Sequence, residues 1–233
     1  MTETESNLQA ARKMLRLATG VALATVAPTT GFPLATLATM ATDFDGTPIL
    51  LLSGLSIHSR SLAADGRCSL LLATAGKGDP LAHPRLTLVG TARLCTDPAA
   101  RGRLRARFLA HNPKAARYAD FGDFAFWQVD LVSGHFNGGF ARAGDYLGRA
   151  LLAPEVPGLA DAEAALLAAI DRPRAETLAG RAGATGIGWR AIALDAGGLT
   201  LAAGEKRARL EFAQIMQSPA EIAAALQDTP AQP

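Results

Sequence analysis

One short polar segment contains most of the side chains that could bind a ligand. The segment SGLSIHSRS, residues 53–61, follows the apolar run ILLL and leads into a predicted helix. Hydroxyl groups, guanidinium groups and the amides of a helix N-terminus all donate hydrogen bonds to anions, so together they could bind a phosphate. The donors would be Ser53, Ser56, Ser59, Ser61 and Arg60. The alternative is that the serines only cap the helix and shape the turn.

Two further polar residues could belong to the same site. His58 lies within the segment, where it could hydrogen-bond a phosphate or face a planar ligand, although a lone loop histidine is more often an ordinary polar contact. Arg85 begins the predicted strand RLTLVG after the loop GKGDPLAHP. Its guanidinium would emerge at the start of the strand, either next to a cofactor or in solvent. The fold has to decide between these alternatives.

Glycines and arginines elsewhere give weaker indications. Gly138 and Gly139 lack side chains where a flat ring could approach the backbone, but a purely structural bulge explains them equally well. Arginine occupies every second position from 101 to 107, and residues two apart on a helix point about 200° from each other. These arginines cannot share one helix face. We expect most of them to be solvated, with one at most reaching a ligand or partner.

Several common chemistries lack their sequence patterns. The chain has no P-loop, no H-E-x-x-H zinc pattern, no dinucleotide fingerprint and no Ser-His-Asp order. Cys68 and Cys95 have no metal-ligand spacing and are predicted to be reduced, in or near the core. The histidines have no such spacing either: His58, His83, His111 and His135. We therefore expect no metal site, and the sequence assigns no catalytic residue.

The composition is that of a folded protein with no strong electrostatic partner. The chain has 233 residues, of which 49% are hydrophobic and 19% are charged, and its net charge is +2. This charge is too small to attract nucleic acid, and no run approaches the roughly 20 apolar residues of a membrane span. The N-terminal residues also lack the apolar core of a signal peptide. We expect a cytoplasmic protein that binds neither nucleic acid nor a membrane.

The apolar pattern predicts one helix followed by an antiparallel sheet. The helix is predicted from Ser6 to Gly20, because apolar residues recur there at three- and four-residue spacing. Asp97 and Pro98 predict the start of a later helix, and Gly90 predicts a bulge or bend within a strand. The predicted strands are VALATVAP, LATLATMATD, ILLLS, CSLLLATA, RLTLVGTARL and FAFWQVDLV. Six strands with short links favour a closed antiparallel barrel.

A change in composition divides the chain into two predicted domains. Prolines and a glycine interrupt the pattern in LLAPEVPGLADAE, which places the boundary between residues 150 and 158. Residues 1–150 would form the barrel. Residues 158–233 would form a small α+β domain, with helices around a three-stranded meander and a last helix capped by Ser218.

The combined motifs resemble a known family. The predicted helix and hairpin are followed by DFDGTPILLLSGLSIHSRSLAADGRCSLLL, DPLAHPRLTLVGTARL and NGGFARA. This order, over roughly residues 11–142, resembles the FMN-binding split-barrel proteins related to pyridoxamine 5'-phosphate oxidase, and most closely the haem-utilisation (HugZ-like) branch. The segment DAGGLTLAAGEKRARLEFAQIMQSPAEIAAAL is similar to the small C-terminal domain of that branch. The resemblance implies an α+β protein with an N-terminal antiparallel split β-barrel and a small α+β C-terminal domain.

The resemblance also implies a cofactor and its site. Members are homodimers with FMN at the subunit interface, so the chain is expected to be a flavoprotein, an FMN-dependent oxidoreductase of unidentified substrate. The turn would bind the phosphate through Ser53, Ser59 and Arg60, with His58 in the same turn, and Arg85 would add a contact. Backbone and hydroxyl contacts to the flavin would come from Thr36, Leu37, Ala38 and Thr39.

Departures from the family pattern keep two alternatives open. The C-terminal arginine and histidine pattern of true pyridoxamine phosphate oxidases is absent, and IDRPRAETLAG stands where the branch has an acidic-histidine signature. Haem-degrading members ligate iron with a histidine near the C-terminus, whereas this chain has none after His135. The first alternative is a haem-binding or haem-degrading protein in which arginines pair with the propionates. The second is a cofactor-free binding module.

Overall fold

The structure, a computed structural model, describes residues 2–74, 76–139 and 142–227. The chain divides into two units, and the division falls between Leu152 and Ala153. The first unit contains α1 (Glu3–Leu17), β1 (Gly20–Val26), β2 (Pro33–Thr42), β3 (Pro48–Ser53), α2 (Ile57–Ala64), β4 (Arg67–Ala73), β5 (Arg85–Leu94), α3 (Pro98–His111), β6 (Phe124–Asn137), β7 (Ala143–Leu147) and α4 (Gly148–Leu151). The second contains α5 (Leu159–Ala168), α6 (Arg172–Arg181), β8 (Arg190–Asp195), β9 (Gly198–Ala203), β10 (Lys206–Glu211) and α7 (Pro219–Gln227).

The first unit is a closed antiparallel barrel of six strands with one additional strand. The strand order is β3-β2-β1-β4-β5-β6-β7, and β3 also pairs with β6, which closes the ring. The closing pairs run from Ile49 with Gln128 to Ser53 with Phe124. Only the first part of β6 takes part in this closure, and its last residues pair with β7 instead. The predicted α+β fold with an N-terminal split barrel is confirmed.

Alternation along the strands fills the barrel with leucine. Leu23, Leu70 and Leu88 are paired across β1, β4 and β5, and all three are fully buried. Cys68 is buried among these strands as a free thiol, as predicted, and burial raises its pKa to about 11. The side chains between them on each strand point outward, because successive strand residues face opposite sides.

Gly90 marks an irregularity in β5, as predicted. The register between β5 and β6 shifts between Val89 and Gly90. A Cβ atom at Gly90 would fall inside contact distance of the Asp130 carbonyl oxygen, so the close approach of the two strands requires glycine.

The N-terminal helix begins earlier than predicted. Thr2, rather than Ser6, is the N-cap: its hydroxyl accepts a hydrogen bond from the Glu5 amide, and the Glu5 carboxylate accepts one from the Thr2 amide. This reciprocal capping box adds a turn to the helix. The helix ends at Leu17, because Gly20 already begins β1.

Three arginines surround the turn between β2 and β3. Arg16 of α1 donates to the carbonyl oxygens of Asp43 and Phe44 at 2.9 and 3.1 Å. Arg107 of α3 donates to the Asp43 carbonyl at 3.4 Å, and its guanidinium lies 4.3 Å from the centre of the Phe44 ring. Arg103 forms an ion pair with the buried Asp43 carboxylate. This cluster joins both helices to one turn.

The arginine run of α3 is therefore only partly solvated. Arg101 is exposed, and Arg105 makes a surface pair with Asp120. Arg107 is the exception to the predicted solvated surface, since only 3% of it is exposed. It is buried by Phe44 and the turn, and it does not face a ligand site.

The second unit has the predicted elements around a three-stranded sheet of order β10-β9-β8. The Arg209 guanidinium is buried there and donates to both carboxylate oxygens of Asp195, each at 2.7 Å. Glu211 accepts a further bond from Arg209. Ser218 caps α7 by accepting a hydrogen bond from the Glu221 amide, as predicted.

Replacing Arg107 should destabilise the barrel. Arg107→Ala removes buried, charge-assisted hydrogen bonds and the contact with Phe44, and we expect it to lower the free energy of unfolding by about 2–4 kcal/mol. The measurement is denaturant unfolding followed by circular dichroism. Arg105→Ala on the same helix is the control, because its exposed pair with Asp120 contributes little. Equal effects of the two variants would contradict the role given to the arginine cluster.

Candidate functional site

The predicted anion-binding turn is built mainly from its own hydrogen bonds. Ser56 is the N-cap of α2: its hydroxyl donates to the Ser53 carbonyl at 2.7 Å and accepts from the Ser59 amide at 3.4 Å. Ser61 is fully buried, and its hydroxyl has no hydrogen-bond partner within the part of the chain that the structure describes. The capping alternative therefore accounts for Ser56, and Ser61 does not reach the surface.

Asp123, which the sequence patterns did not indicate as a site residue, lies beside the turn. The Ser53 hydroxyl donates to the Asp123 carboxylate at 2.6 Å, and the Gly54 amide donates to the Asp123 carbonyl at 2.6 Å. Asp123 is 70 residues further along the chain, so no local pattern could indicate this contact. Its carboxylate opposes an anion at Ser53, because like charges repel.

His58 contacts β2 rather than the centre of the turn. Its Nδ1 lies 3.1 Å from the Thr36 hydroxyl oxygen, and that hydroxyl donates to the Leu23 carbonyl at 3.3 Å. The Thr36 oxygen can therefore accept a hydrogen bond from His58 Nδ1–H. Partial burial lowers the pKa of His58 below its ordinary value of 6.5. The structure thus brings together two of the predicted site residues, His58 and Thr36.

Arg60 points to the other side of α2. Residues two apart on a helix face about 200° from each other, so Arg60 and His58 cannot bind one group together. Arg60 is exposed at a cavity of about 210 Å³ lined by Leu52, Gly54, Ser59, Arg60, Ala63, Leu94, Ala125 and Trp127. This cavity is mostly apolar and lies between α2 and the ends of β3, β5 and β6.

The predicted contacts on β2 divide between its two faces. Thr36 and Ala38 face inward, towards α2 and the core, and Leu37 and Thr39 face outward. Leu37 is 82% exposed. The four residues therefore do not form one surface, as alternation in a strand requires.

Arg85 lies far from α2 along the barrel. It pairs with Ala73 and Asn137, and its guanidinium donates to the Leu81 carbonyl at 3.0 Å. The chain just after α2 reaches β5 at Ala92, whose amide donates to the Gly66 carbonyl. Seven residues of strand separate Arg85 from Ala92, or about 20 Å. Within one chain, Arg85 and the Ser53–Ser61 turn form separate sites.

A broad surface of the sheet faces solvent, and we call it the outer sheet face. Its members come from two neighbouring rows of cross-strand pairs over β2, β1, β4, β5, β6 and β7. Leu37, Leu71 and Val89 are 82%, 41% and 44% exposed on this face. One row is Leu37, Ala22, Leu71, Thr87, His135 and Asp145, and the other is Ala35, Ala24, Ser69, Val89, Ser133 and Leu147.

The outer sheet face combines apolar and small polar side chains. Ser69 and Thr87 lie next to the exposed Leu71 and Val89 on β4 and β5, and Arg85 follows on β5 two residues before Thr87. At its β6–β7 border, His135 Nδ1 lies 2.7 Å from the Asp145 carboxylate. Sequence reasoning missed this pair, because it depends on the register between β6 and β7. Arg85 places a cation on the same side of the sheet as the exposed Leu71 and Val89.

The described residues contain neither a metal-binding cluster nor a membrane-spanning helix. No group of three or more histidine, cysteine or acidic side chains is placed to hold a metal ion in residues 2–74, 76–139 and 142–227. Over the same residues, no helix has the length and apolarity to cross a membrane. Gly139 has a φ of 101°, which favours glycine, so the backbone conformation accounts for this residue.

The environment of His58 predicts a pH dependence of stability. Because its pKa is lowered in the folded protein, the unfolded chain binds the proton first as the pH falls. The stabilising contribution is complete above 6.5 and is lost as the pH falls from there through the folded pKa. NMR titration of the imidazole should give a midpoint below 6.5, and His58→Gln should flatten the pH dependence of unfolding. A midpoint at or above 6.5 would contradict this environment.

Comparison with known proteins identifies a family that matches the barrel. Residues 8–137 match the protein family described as pyridoxamine 5'-phosphate oxidase. The non-canonical heme oxygenase HOZ, chloroplastic, of Arabidopsis thaliana is 38% identical over 117 residues, which are 48% of this chain and 34% of that protein. The match thus spans about a third of the length of this relative.

Two solved structures resemble the chain over nearly its whole length. The protein Atu2129 from Agrobacterium tumefaciens str. C58, of unknown function, has a TM-score of 0.84 and 33% identity, over 95% of this chain and 94% of that one. A heme binding protein from Mycobacterium smegmatis has a TM-score of 0.58 and 27% identity, over 94% of both chains. The family match covers more than half of the sequence and coincides with the barrel, so this chain belongs to the pyridoxamine 5'-phosphate oxidase family.

Proposed function

We propose that this protein binds haem on the outer sheet face, where two copies of the chain meet. The observation that carries the proposal is the exposed apolar wall formed by Leu37, Leu71 and Val89, with Arg85 on the same side of the sheet. Haem is a flat, mostly apolar ring with two carboxylates. Such a ligand needs an apolar wall and a cation at one edge, and these residues supply both.

Two relatives support haem as the ligand. The Arabidopsis thaliana protein is described as a heme oxygenase and the Mycobacterium smegmatis protein as a heme binding protein. The second likeness extends over 94% of both chains, so it includes the C-terminal unit as well as the barrel. Binding of haem is the property these descriptions share, and we propose that property here.

A second copy of the chain would complete the site. A contiguous exposed apolar surface on a folded protein usually marks an interface. The outer sheet face presents apolar side chains from several neighbouring strands, among them Leu37 and Leu71. We propose a homodimer that buries this face and encloses the ligand at its border.

FMN is the second candidate, at a different place. The family resemblance favours a flavin, and His58 and the exposed Arg60 lie at the turn expected to hold its phosphate. Two observations argue against FMN as the first candidate ligand. The Ser53 and Ser56 hydroxyls already donate within the protein, and the Asp123 carboxylate lies beside Ser53. A flavin-dependent oxidoreductase therefore remains the alternative proposal.

Absorption spectra can separate the two ligands. Titration of the purified protein with haem should give a saturable shift of the Soret band, and Arg85→Ala should weaken binding about 10- to 100-fold, since it removes a charge-assisted contact. Arg93→Ala, in the same strand but paired with Asp130 near its other end, is the control. Tight binding of FMN that is weakened by Arg60→Ala, with no saturable haem binding, would contradict the proposal and support the alternative.

The dimer can be tested independently of any ligand. Leu71→Arg places a charge in the centre of the outer sheet face, and we expect it to convert a dimer into a monomer in analytical ultracentrifugation. Leu55→Arg is the matched control, because Leu55 is 77% exposed in the turn before α2 and lies off this face. A dimer that persists in Leu71→Arg, or dissociates only in Leu55→Arg, would place the interface elsewhere.

A further inference from the structure

One histidine on the outer sheet face is held by a carboxylate. His135 on β6 and Asp145 on β7 are direct cross-strand partners, and the imidazole Nδ1 lies 2.7 Å from Asp145 Oδ1. A carboxylate only accepts hydrogen bonds, so Nδ1 must be the protonated nitrogen. In the neutral ring, Nε2 then carries a free electron pair. The hydrogen bond also restricts rotation of a side chain that is 53% exposed.

This arrangement is the usual environment of a metal-binding histidine. Histidines that coordinate metals almost always donate their other ring N–H to a carboxylate or carbonyl, which fixes the tautomer and makes the coordinating nitrogen more basic. Within the described chain, no hydrogen bond to His135 Nε2 is formed, and the ring is open to solvent. The imidazole is therefore available to a group outside the chain.

The position of His135 matches the proposed ligand face. Its cross-strand neighbour on β5 is Thr87, and Thr87 in turn pairs with the exposed Leu71. Arg85 lies two residues before Thr87, which puts its side chain on the same side of the sheet at a diagonal to His135. An apolar wall, a cation and an oriented imidazole thus lie within a few strands of one another.

The other histidines fit this role less well. His111 is buried, with 1% exposed. His83 Nε2 is within 3.0 Å of the Lys77 carbonyl in the loop before β5. His58 lies against Thr36 beside α2 and not on the outer sheet face. Of the four, His135 alone combines a carboxylate partner with a place on this face.

We infer that His135, oriented by Asp145, ligates the iron of the bound haem. The inference rests on the proposed haem-binding function. His135 would contact the iron through Nε2, and Asp145 would act as a positioning residue. Arg85 would pair with a propionate at the edge of the same ring.

The test uses spectra of the ferric haem complex of the full-length protein. In His135→Ala we expect the Soret band to shift, the electron paramagnetic resonance signal to change, and haem affinity to fall at least 10-fold. Added imidazole should restore the wild-type spectrum of His135→Ala. Asp145→Asn should keep the histidine bound but weaken haem affinity by about 10-fold and alter the resonance signal. His58→Ala is the matched control and should leave both spectra unchanged.

The outcomes separate this inference from the proposed function. If the wild-type protein shows no saturable haem binding, both the proposed function and the inference are overturned. If the wild type binds haem but His135→Ala retains its affinity and both spectra, only the inference is overturned. Loss of the wild-type spectrum in His58→Ala, with His135→Ala unchanged, would assign the iron to His58. Thermal unfolding of each variant, followed by circular dichroism, verifies that the exposed substitution at His135 leaves the fold intact.

Discussion

The pairing of β3 with the first part of β6 closes the barrel. The open part of the sheet, which carries the proposed ligand site, begins where that pairing stops. Five residue pairs, from Ile49 with Gln128 to Ser53 with Phe124, join the two strands. Beyond them β6 continues to Asn137 and pairs with β5 and β7. The barrel is therefore closed at one end, while the other end continues into an open sheet. That open part carries His135, Asp145 and Arg85.

The closed end is held in place by buried charge rather than by apolar packing alone. Arg16 and Arg107 donate hydrogen bonds to the carbonyl oxygen of Asp43 in the turn, and Arg103 forms an ion pair with the Asp43 carboxylate. Buried carbonyl and carboxylate groups are costly unless they are hydrogen-bonded, so each guanidinium fixes the helix that carries it. These arginines are structural, which leaves Arg60 and Arg85 as the cations of the predicted site that remain available to a ligand.

Sequence patterns predicted the features that depend on neighbouring residues. The strands of the barrel, the irregularity at Gly90 and the caps at Asp97 and Ser218 follow from local alternation and turn chemistry. Features that depend on distant pairing were missed. The contact of Ser53 with Asp123 joins residues 70 apart, and the pair of His135 with Asp145 requires the register of β6 and β7. The family resemblance supplied the fold, but about 20 Å of β5 separates Arg85 from the end of the β5 strand that lies near α2.

The central claim is that haem binds to the outer sheet face, and a crystal structure of the protein grown with haem tests it most directly. The claim predicts tetrapyrrole density against Leu71 and Val89, with a propionate near Arg85 and the anomalous signal of iron next to His135. Iron or flavin density at the Ser53–Ser61 turn, with the outer sheet face covered only by protein, would contradict it.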